Sequence, residues 1–256
     1  MDNEKTDRAV VLLSGGIDSA TCLAMACVEF EEVIAVHINY GQQTADLEGS
    51  MAAKQTALLE NDKPADVYPM TIDYRSVMQN FAEGVASSRD FEADKQTQQD
   101  GRSVGYQPMR NLHLIATAAG IADHNDASAI YHGAQGGDEA DYPDCRPEFM
   151  TAAENAVNCS LADKEHIELR TPLIDMEKHE VIKRADELGV YLNHTYSCYE
   201  AIEDDDPEPC GECPACIERG EAFHLARVTD PFGTPDAVKN NSPEAWENIL
   251  EEVSHR

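Results

Sequence analysis

Residues 9–28 narrow the possible architectures more than any other stretch of this chain. Residues 9–13 form a short continuous apolar run, Ser14-Gly15-Gly16 interrupts it, and residues 20–28 resume with helix-forming side chains. That order predicts a buried strand, a tight turn and a helix. Within Ser14-Gly15-Gly16-Ile17-Asp18-Ser19 the two glycines let backbone N–H groups turn toward an anion. The helix N-terminus adds partial positive charge, and the Ser14 and Ser19 hydroxyls can donate to phosphate oxygens. Asp18 is unsuited to face a phosphate directly and fits either helix capping or a hold on Mg²⁺. The spacing matches neither the Gly-x-x-x-x-Gly-Lys phosphate loop nor the dinucleotide-binding Gly-x-Gly-x-x-Gly.

Strands and helices then alternate. Residues 33–39 are a β-branched run closed by Gly41, residues 46–60 have helical composition, and residues 67–72 read as a third strand. Helix is expected from about Asn111 to Ala122, strand over 128–132, helix over 148–161, strand over 167–171, and helix over 178–188 stopped by Gly189. Such alternation predicts an α/β fold, a doubly wound parallel sheet with right-handed crossovers and ligands at the carboxyl ends of the strands. Residues 83–107 are polar, Gln-rich and glycine-punctuated, as in a long loop or lid. The expected division is an α/β domain over 1–196, a cysteine-bearing appendage over 197–227, and a peripheral tail over 228–256 with a short helix near 244–253.

Three of the eight cysteines crowd into Cys210-Gly-Glu-Cys213-Pro-Ala-Cys216, and Cys198 lies just upstream across an acidic loop at 203–206. Four thiolates meet the tetrahedral demand of a structural Zn²⁺, whereas three closely spaced cysteines can also ligate an iron–sulfur cluster. Zinc is the expected ion because a fourth cysteine is at hand and nothing else implies redox work. The scattered Cys22, Cys27, Cys145 and Cys159 read as thiols in a reducing compartment rather than a disulfide framework.

Lys and Arg number 19 against 49 Asp and Glu, a formal charge of −30 that repels phosphate backbones. Free nucleic acid is therefore not an expected partner. The acidic residues are spread along the chain and Lys is scarce, as on a surface adapted to high salt, where ions screen self-repulsion. No apolar run approaches the length needed to span a bilayer, so no membrane association is expected, and the polar N-terminus carries no readable secretion signal; the cytoplasm is the expected location.

Two further segments carry chemistry-bearing groups. Arg110-Asn111 opens a helix and places a guanidinium and an amide where they could meet phosphate. The loop at 133–147 holds Asp138 and then Tyr142-Pro143-Asp144-Cys145-Arg146-Pro147-Glu148-Phe149, whose prolines stiffen an array of opposite charges. Cys145 fits a structural thiol better than a nucleophile.

The Ser14–Ser19 string resembles the PP-loop of ATP pyrophosphatases, whose members adenylate a substrate and let a nucleophile displace AMP. With Tyr40-Gly41-Gln42, Arg110-Asn111, the octapeptide at 142–149, Ser197-Cys198-Tyr199, the cysteine triplet and Arg219, the chain resembles the 7-cyano-7-deazaguanine synthase family, QueC, over roughly residues 8–227. The resemblance implies an adenine nucleotide alpha hydrolase-like fold and a ligase that converts 7-carboxy-7-deazaguanine and ammonia to 7-cyano-7-deazaguanine. It also implies acyl-adenylate and amide intermediates, two ATP spent as AMP and pyrophosphate, and a product used for queuosine or archaeosine. Further implications are ATP and Mg²⁺ as cofactors, Zn²⁺ on Cys198, Cys210, Cys213 and Cys216, and a homodimer; the acidic balance adds a halophilic archaeal source. Leu13, Ser14, Gly15, Gly16, Ile17, Asp18, Ser19, Arg110 and Asn111 are expected to bind nucleotide. Asp138, Tyr142, Asp144, Arg146 and Glu148 are expected to bind the acid, and Asp18, Arg110 and Arg146 to take part in catalysis. Arg146 would pair with the substrate carboxylate, and Asp144 or Glu148 would accept from the deazaguanine N–H edge. Two competing readings are a PP-loop tRNA thiolase, which needs a basic surface, and a nucleotide sensor, which would bind without turnover.

Overall fold

A computed structural model describes residues 7–62, 64–78, 107–137, 142–162, 166–199 and 208–241. Asp138, the acidic loop at 203–206, the helix expected near 244–253 and all but the last residue of the expected lid lie outside the described residues.

Five strands pair in parallel: β1 (Arg8–Leu12), β2 (Glu32–Asn39), β3 (Asp66–Asp73), β4 (Ala129–Tyr131) and β5 (Glu168–Arg170), in the order β3-β2-β1-β4-β5. The helices are α1 (Ile17–Glu29), α2 (Ala45–Asp62), α3 (Arg75–Met78), α4 (Arg110–His124), α5 (Pro147–Ser160), α6 (Lys178–Glu187), α7 (Pro214–Ala226) and α8 (Asp236–Lys239). Alternate residues of β1 serve opposite layers. Ala9, Val11 and Leu13 pack with side chains of α1, α2, α6 and α7, while Val10 and Leu12 pack with those of α4 and α5. Helices cover both faces, so the strands need apolar residues at successive positions, and that is why they read as unbroken runs. Each fully buried Val, Leu or Ile contributes about 1.5–3 kcal/mol.

The winding reverses between β1 and β4, which places the switch point where β1 runs into Ser14-Gly15-Gly16. Element boundaries depart from the sequence expectation by a residue or three, as at α1, which begins at Ile17 directly after the glycines.

The cysteine-rich segment carries a helix that its composition concealed. Pro214 sits in the first turn of α7, where a missing N–H costs nothing, and Ala222, Phe223 and Ala226 join the core on the α1 and α6 side. Gly220 leaves room for the Pro235 ring: a Cβ there would lie 2.5 Å from Pro235 Cδ. Arg219 and Asp230 form an ion pair at 3.0 Å with side chains only 4% and 3% exposed. The guanidinium also donates to the Thr195 and Leu192 carbonyls and lies against the Phe223 and Phe232 rings. These bonds fasten the cysteine segment to the layer of helices beside the sheet.

Candidate active site

The carboxyl ends of β1, β2 and β4 open into one cleft of about 300 Å³. Its floor is the turn after β1. Gly15 has φ +80, and a Cβ on it would lie 2.6 Å from the Glu48 carbonyl oxygen and 2.9 Å from Met51 Cβ, so only glycine lets the turn lie against α2. Gly16 occupies the position before α1 and no side chain caps the helix, which leaves its first N–H groups for a ligand. The Ser14 and Ser19 hydroxyls stand 3.1 Å apart, and Ser19 Oγ donates to the Gly16 carbonyl at 3.0 Å. Leu13 is tied to β2, its N–H donating to the Val36 carbonyl at 2.8 Å.

Asp18 does not cap α1. Its Oδ2 accepts from Lys178 Nζ at 2.6 Å, and its Oδ1 is buried without a hydrogen-bond partner. An orphaned carboxylate oxygen beside a turn of uncapped N–H groups fits a hard cation such as Mg²⁺.

The opposite wall is built at the start of α4. Met109 precedes the helix in a left-handed conformation (φ 59) and caps nothing. The missing acceptor comes from across the fold: Asp144 Oδ2 takes the Asn111 N–H at 2.9 Å, while Asn111 Nδ2 donates to the Asp144 carbonyl at 3.0 Å and to Cys145 Sγ at 3.2 Å. Asn111 therefore locks the octapeptide to α4. Arg110 lies over the Tyr142 ring at 5.5 Å; burial disfavours its charge, but Tyr40, Tyr142 and Asp144 more than offset that and hold it as a cation. Burial pushes the Tyr40 hydroxyl up, with Arg110 pulling against it.

His132 follows β4 and lines the same cleft. Its Nδ1 accepts the Ala134 N–H at 3.1 Å. Burial, and then the Arg110 charge, lowers its pKa from 6.5 to about 4. The ring is neutral at pH 7.

The cleft thus unites Leu13, Ser14, Asp18, Ser19, Arg110 and Asn111. Tyr142 and the 7% exposed Asp144 stand behind them as supports. Arg146 and Glu148 are exposed at the start of α5 and do not line the cleft. His132, His37 and Glu48 also line the cleft and Lys178 reaches it through Asp18, and sequence reasoning missed all four. For His37 and His132 a signal existed: both stand at the carboxyl ends of strands, where this class of fold binds its ligands.

The second cluster is the cysteine set. The ligating atoms of Cys198, Cys210, Cys213 and Cys216 all lie within 4.8 Å of one another. Sulfur separations are 3.5 Å for Cys198–Cys210, 3.9 Å for Cys210–Cys216 and 3.9 Å for Cys198–Cys213. Four thiolates around one tetrahedral ion with bonds of about 2.3 Å would stand about 3.8 Å apart. Thiols this close resist ionising together: the Cys198 contact and burial raise Cys213 to about 11. A shared cation would remove that resistance and release the protons.

A family model described as "Queuosine biosynthesis protein QueC" matches residues 8–227. The chain belongs to the QueC family. Among the QueC relatives, the 7-cyano-7-deazaguanine synthase of Halobacterium salinarum is 38% identical over 228 residues, 88% of this chain and 94% of that protein. The synthase of the same name from Ralstonia nicotianae is 36% identical over 88% of this chain and 97% of its own, and that from Sulfurovum is 33% identical over 88% and 97%. The QueC match spans both clusters, from the turn after β1 to the last cysteine and Arg219. Among the described residues no helix is long and apolar enough to cross a membrane.

Proposed function

We propose that this chain is a cytoplasmic ligase that condenses 7-carboxy-7-deazaguanine with ammonia at the expense of ATP and delivers 7-cyano-7-deazaguanine for queuosine or archaeosine. The observation that carries it is the pairing, in a QueC chain, of an uncapped turn at the start of α1 with the half-buried Arg110 guanidinium in one cleft.

The N–H groups at the start of α1 and the Ser14 and Ser19 hydroxyls bind the β- and γ-phosphates, with Gly15 and Gly16 giving the backbone access and Leu13 and Ile17 framing it. Asp18, with its unpartnered Oδ1, would hold Mg²⁺, which would supply charge neutralisation along the triphosphate. Lys178 keeps Asp18 in place. Arg110 draws the carboxylate toward the α-phosphorus and offsets charge there. The carboxylate oxygen bonds to that phosphorus as pyrophosphate leaves; ammonia then attacks the acyl carbon, AMP departs and a proton is lost, leaving the amide. In a second round the amide oxygen bonds to the α-phosphorus of another ATP as pyrophosphate leaves, and loss of AMP and two protons then leaves the nitrile. Asp138, Tyr142, Asp144, Arg146 and Glu148 are assigned to the deazaguanine, Tyr142 and Asp144 acting from behind the cleft wall through Arg110 and Asn111 and Arg146 and Glu148 standing exposed at the start of α5, outside the cleft lining. Cys198, Cys210, Cys213 and Cys216 would hold a Zn²⁺ whose role is structural, since four thiolates would leave it no open position. The enzyme acts as a homodimer and does not bind nucleic acid, the latter in keeping with the −30 charge.

The test is to incubate purified protein with ATP, Mg²⁺, ammonium and the acid, and to follow AMP, pyrophosphate and the nitrile by mass spectrometry. Substrate-dependent AMP with a nitrile product supports the reading. ATP binding without turnover would replace it with a nucleotide sensor.

A further inference from the structure

His132 has a ring whose two nitrogens are assigned by its surroundings. The Ala134 N–H can only donate, so Nδ1 must be the bare, accepting nitrogen, and in the neutral ring the proton resides on Nε2. The residue lies at the carboxyl end of β4, directly across the switch point from the phosphate-binding turn. Its neighbour Gly133 is packed so closely on the start of α1 that a Cβ would lie 3.2 Å from Ser19 N. His132 and Arg110 line the same cleft and are close enough for the Arg110 charge to disfavour a second proton on the ring.

We propose that His132 Nε2–H is a dedicated uncharged donor to the oxygen of the acyl group undergoing activation, and that it makes this bond in both rounds of the reaction. The inference rests on the two-round ligase reading above. A single pocket has to hold a carboxylate first and a neutral amide second, on the same carbon. Arg110 suits the anion, but a lone cation is poorly matched to an amide. A neutral donor serves an oxygen of either charge and, with Nδ1 engaged and Nε2 already protonated, it cannot remove a proton from ammonia or from the amide nitrogen. His132 is therefore a hydrogen-bond donor and not the general base.

Two variants separate this role from a structural one. His132→Asn keeps an acceptor for the Ala134 N–H and withdraws the donor. His132→Gln extends an N–H toward the Nε2 position and gives up the acceptor. Both are assayed as full-length, metal-loaded protein, starting once from 7-carboxy-7-deazaguanine and once from the corresponding amide, with melting temperature measured in parallel. The expected result is a kcat loss of about 100-fold in His132→Asn from either starting compound, at an unchanged melting temperature. His132→Gln is expected to melt lower yet turn over faster than His132→Asn. Wild-type rates in His132→Asn would overturn the proposal, as would the reverse ranking of the two variants or a loss confined to one starting compound. Should the wild type itself make no nitrile, the ligase reading fails instead, and the variants are not its cause.

Discussion

His132 is held at one charge by its neighbours, and that has an energetic signature. Its folded pKa of about 4 lies below the ordinary 6.5, so the unfolded chain takes up the proton first as pH falls. The folded state keeps its full advantage above pH 6.5 and loses it progressively down to about pH 4, by an amount on the order of 3 kcal/mol. Denaturant midpoints taken from pH 7 to pH 4 should therefore fall, and fall less in His132→Asn; equal slopes would contradict the assignment. Asp144 shows a residue whose importance was legible but whose task was not. Its place between two prolines marked a fixed charge, yet one carboxylate oxygen serves the Asn111 N–H thirty-three residues earlier in the chain. Asp144→Ala should cost about 1 kcal/mol, as loss of a helix cap does, and depress turnover of the acid with ATP affinity retained, measurable by denaturation and by titration calorimetry. Lys178 was illegible for a related reason: its partner Asp18 lies 160 positions away, and a lysine at the start of an amphipathic helix reads as solvated.

Among the elements, the turn between β1 and α1 was the most legible, because everything that shapes it is local: an apolar run, two glycines and two hydroxyls in sequence. Gly15→Ala should abolish substrate-dependent AMP formation, since the φ of +80 and the 2.6 Å approach to the Glu48 carbonyl leave a methyl group nowhere to go. An active Gly15→Ala enzyme would show that the turn is not the phosphate site. Helix α7 was the least legible. Cysteines, prolines and glycines mask its helical pattern, and the partners that bury it come from α1, α6 and the stretch after it. Arg219→Met strands the buried Asp230 carboxylate and should cost about 3–5 kcal/mol in chemical denaturation. A change below about 1 kcal/mol would mean that the pair contributes little to holding the segment.

For the whole molecule, the parallel sheet follows from alternating runs that demand cover on both faces, whereas the strand order and the cleft depend on contacts that only the closed fold assembles. The charge of −30 acts at this scale as well. Screening should relieve self-repulsion, so the melting temperature is expected to rise from dilute buffer to molar KCl, and no rise would remove the inference of salt adaptation. Removing metal with a chelator should lower it, because the four crowded thiols would lose the ion they are placed to share. One hydrogen bond extends that effect beyond stability. The Tyr196 N–H donates to the Gly15 carbonyl at 3.1 Å, and Tyr196 packs with Met51, Cys198, Cys213 and Cys216 in one small core. The cysteine cluster thus buttresses the turn after β1, the proposed nucleotide cradle, from two residues beyond the bond that steadies it. Under metal starvation, the first symptom to expect is a slackened hold on the triphosphate in protein that is still folded, with precipitation only afterwards.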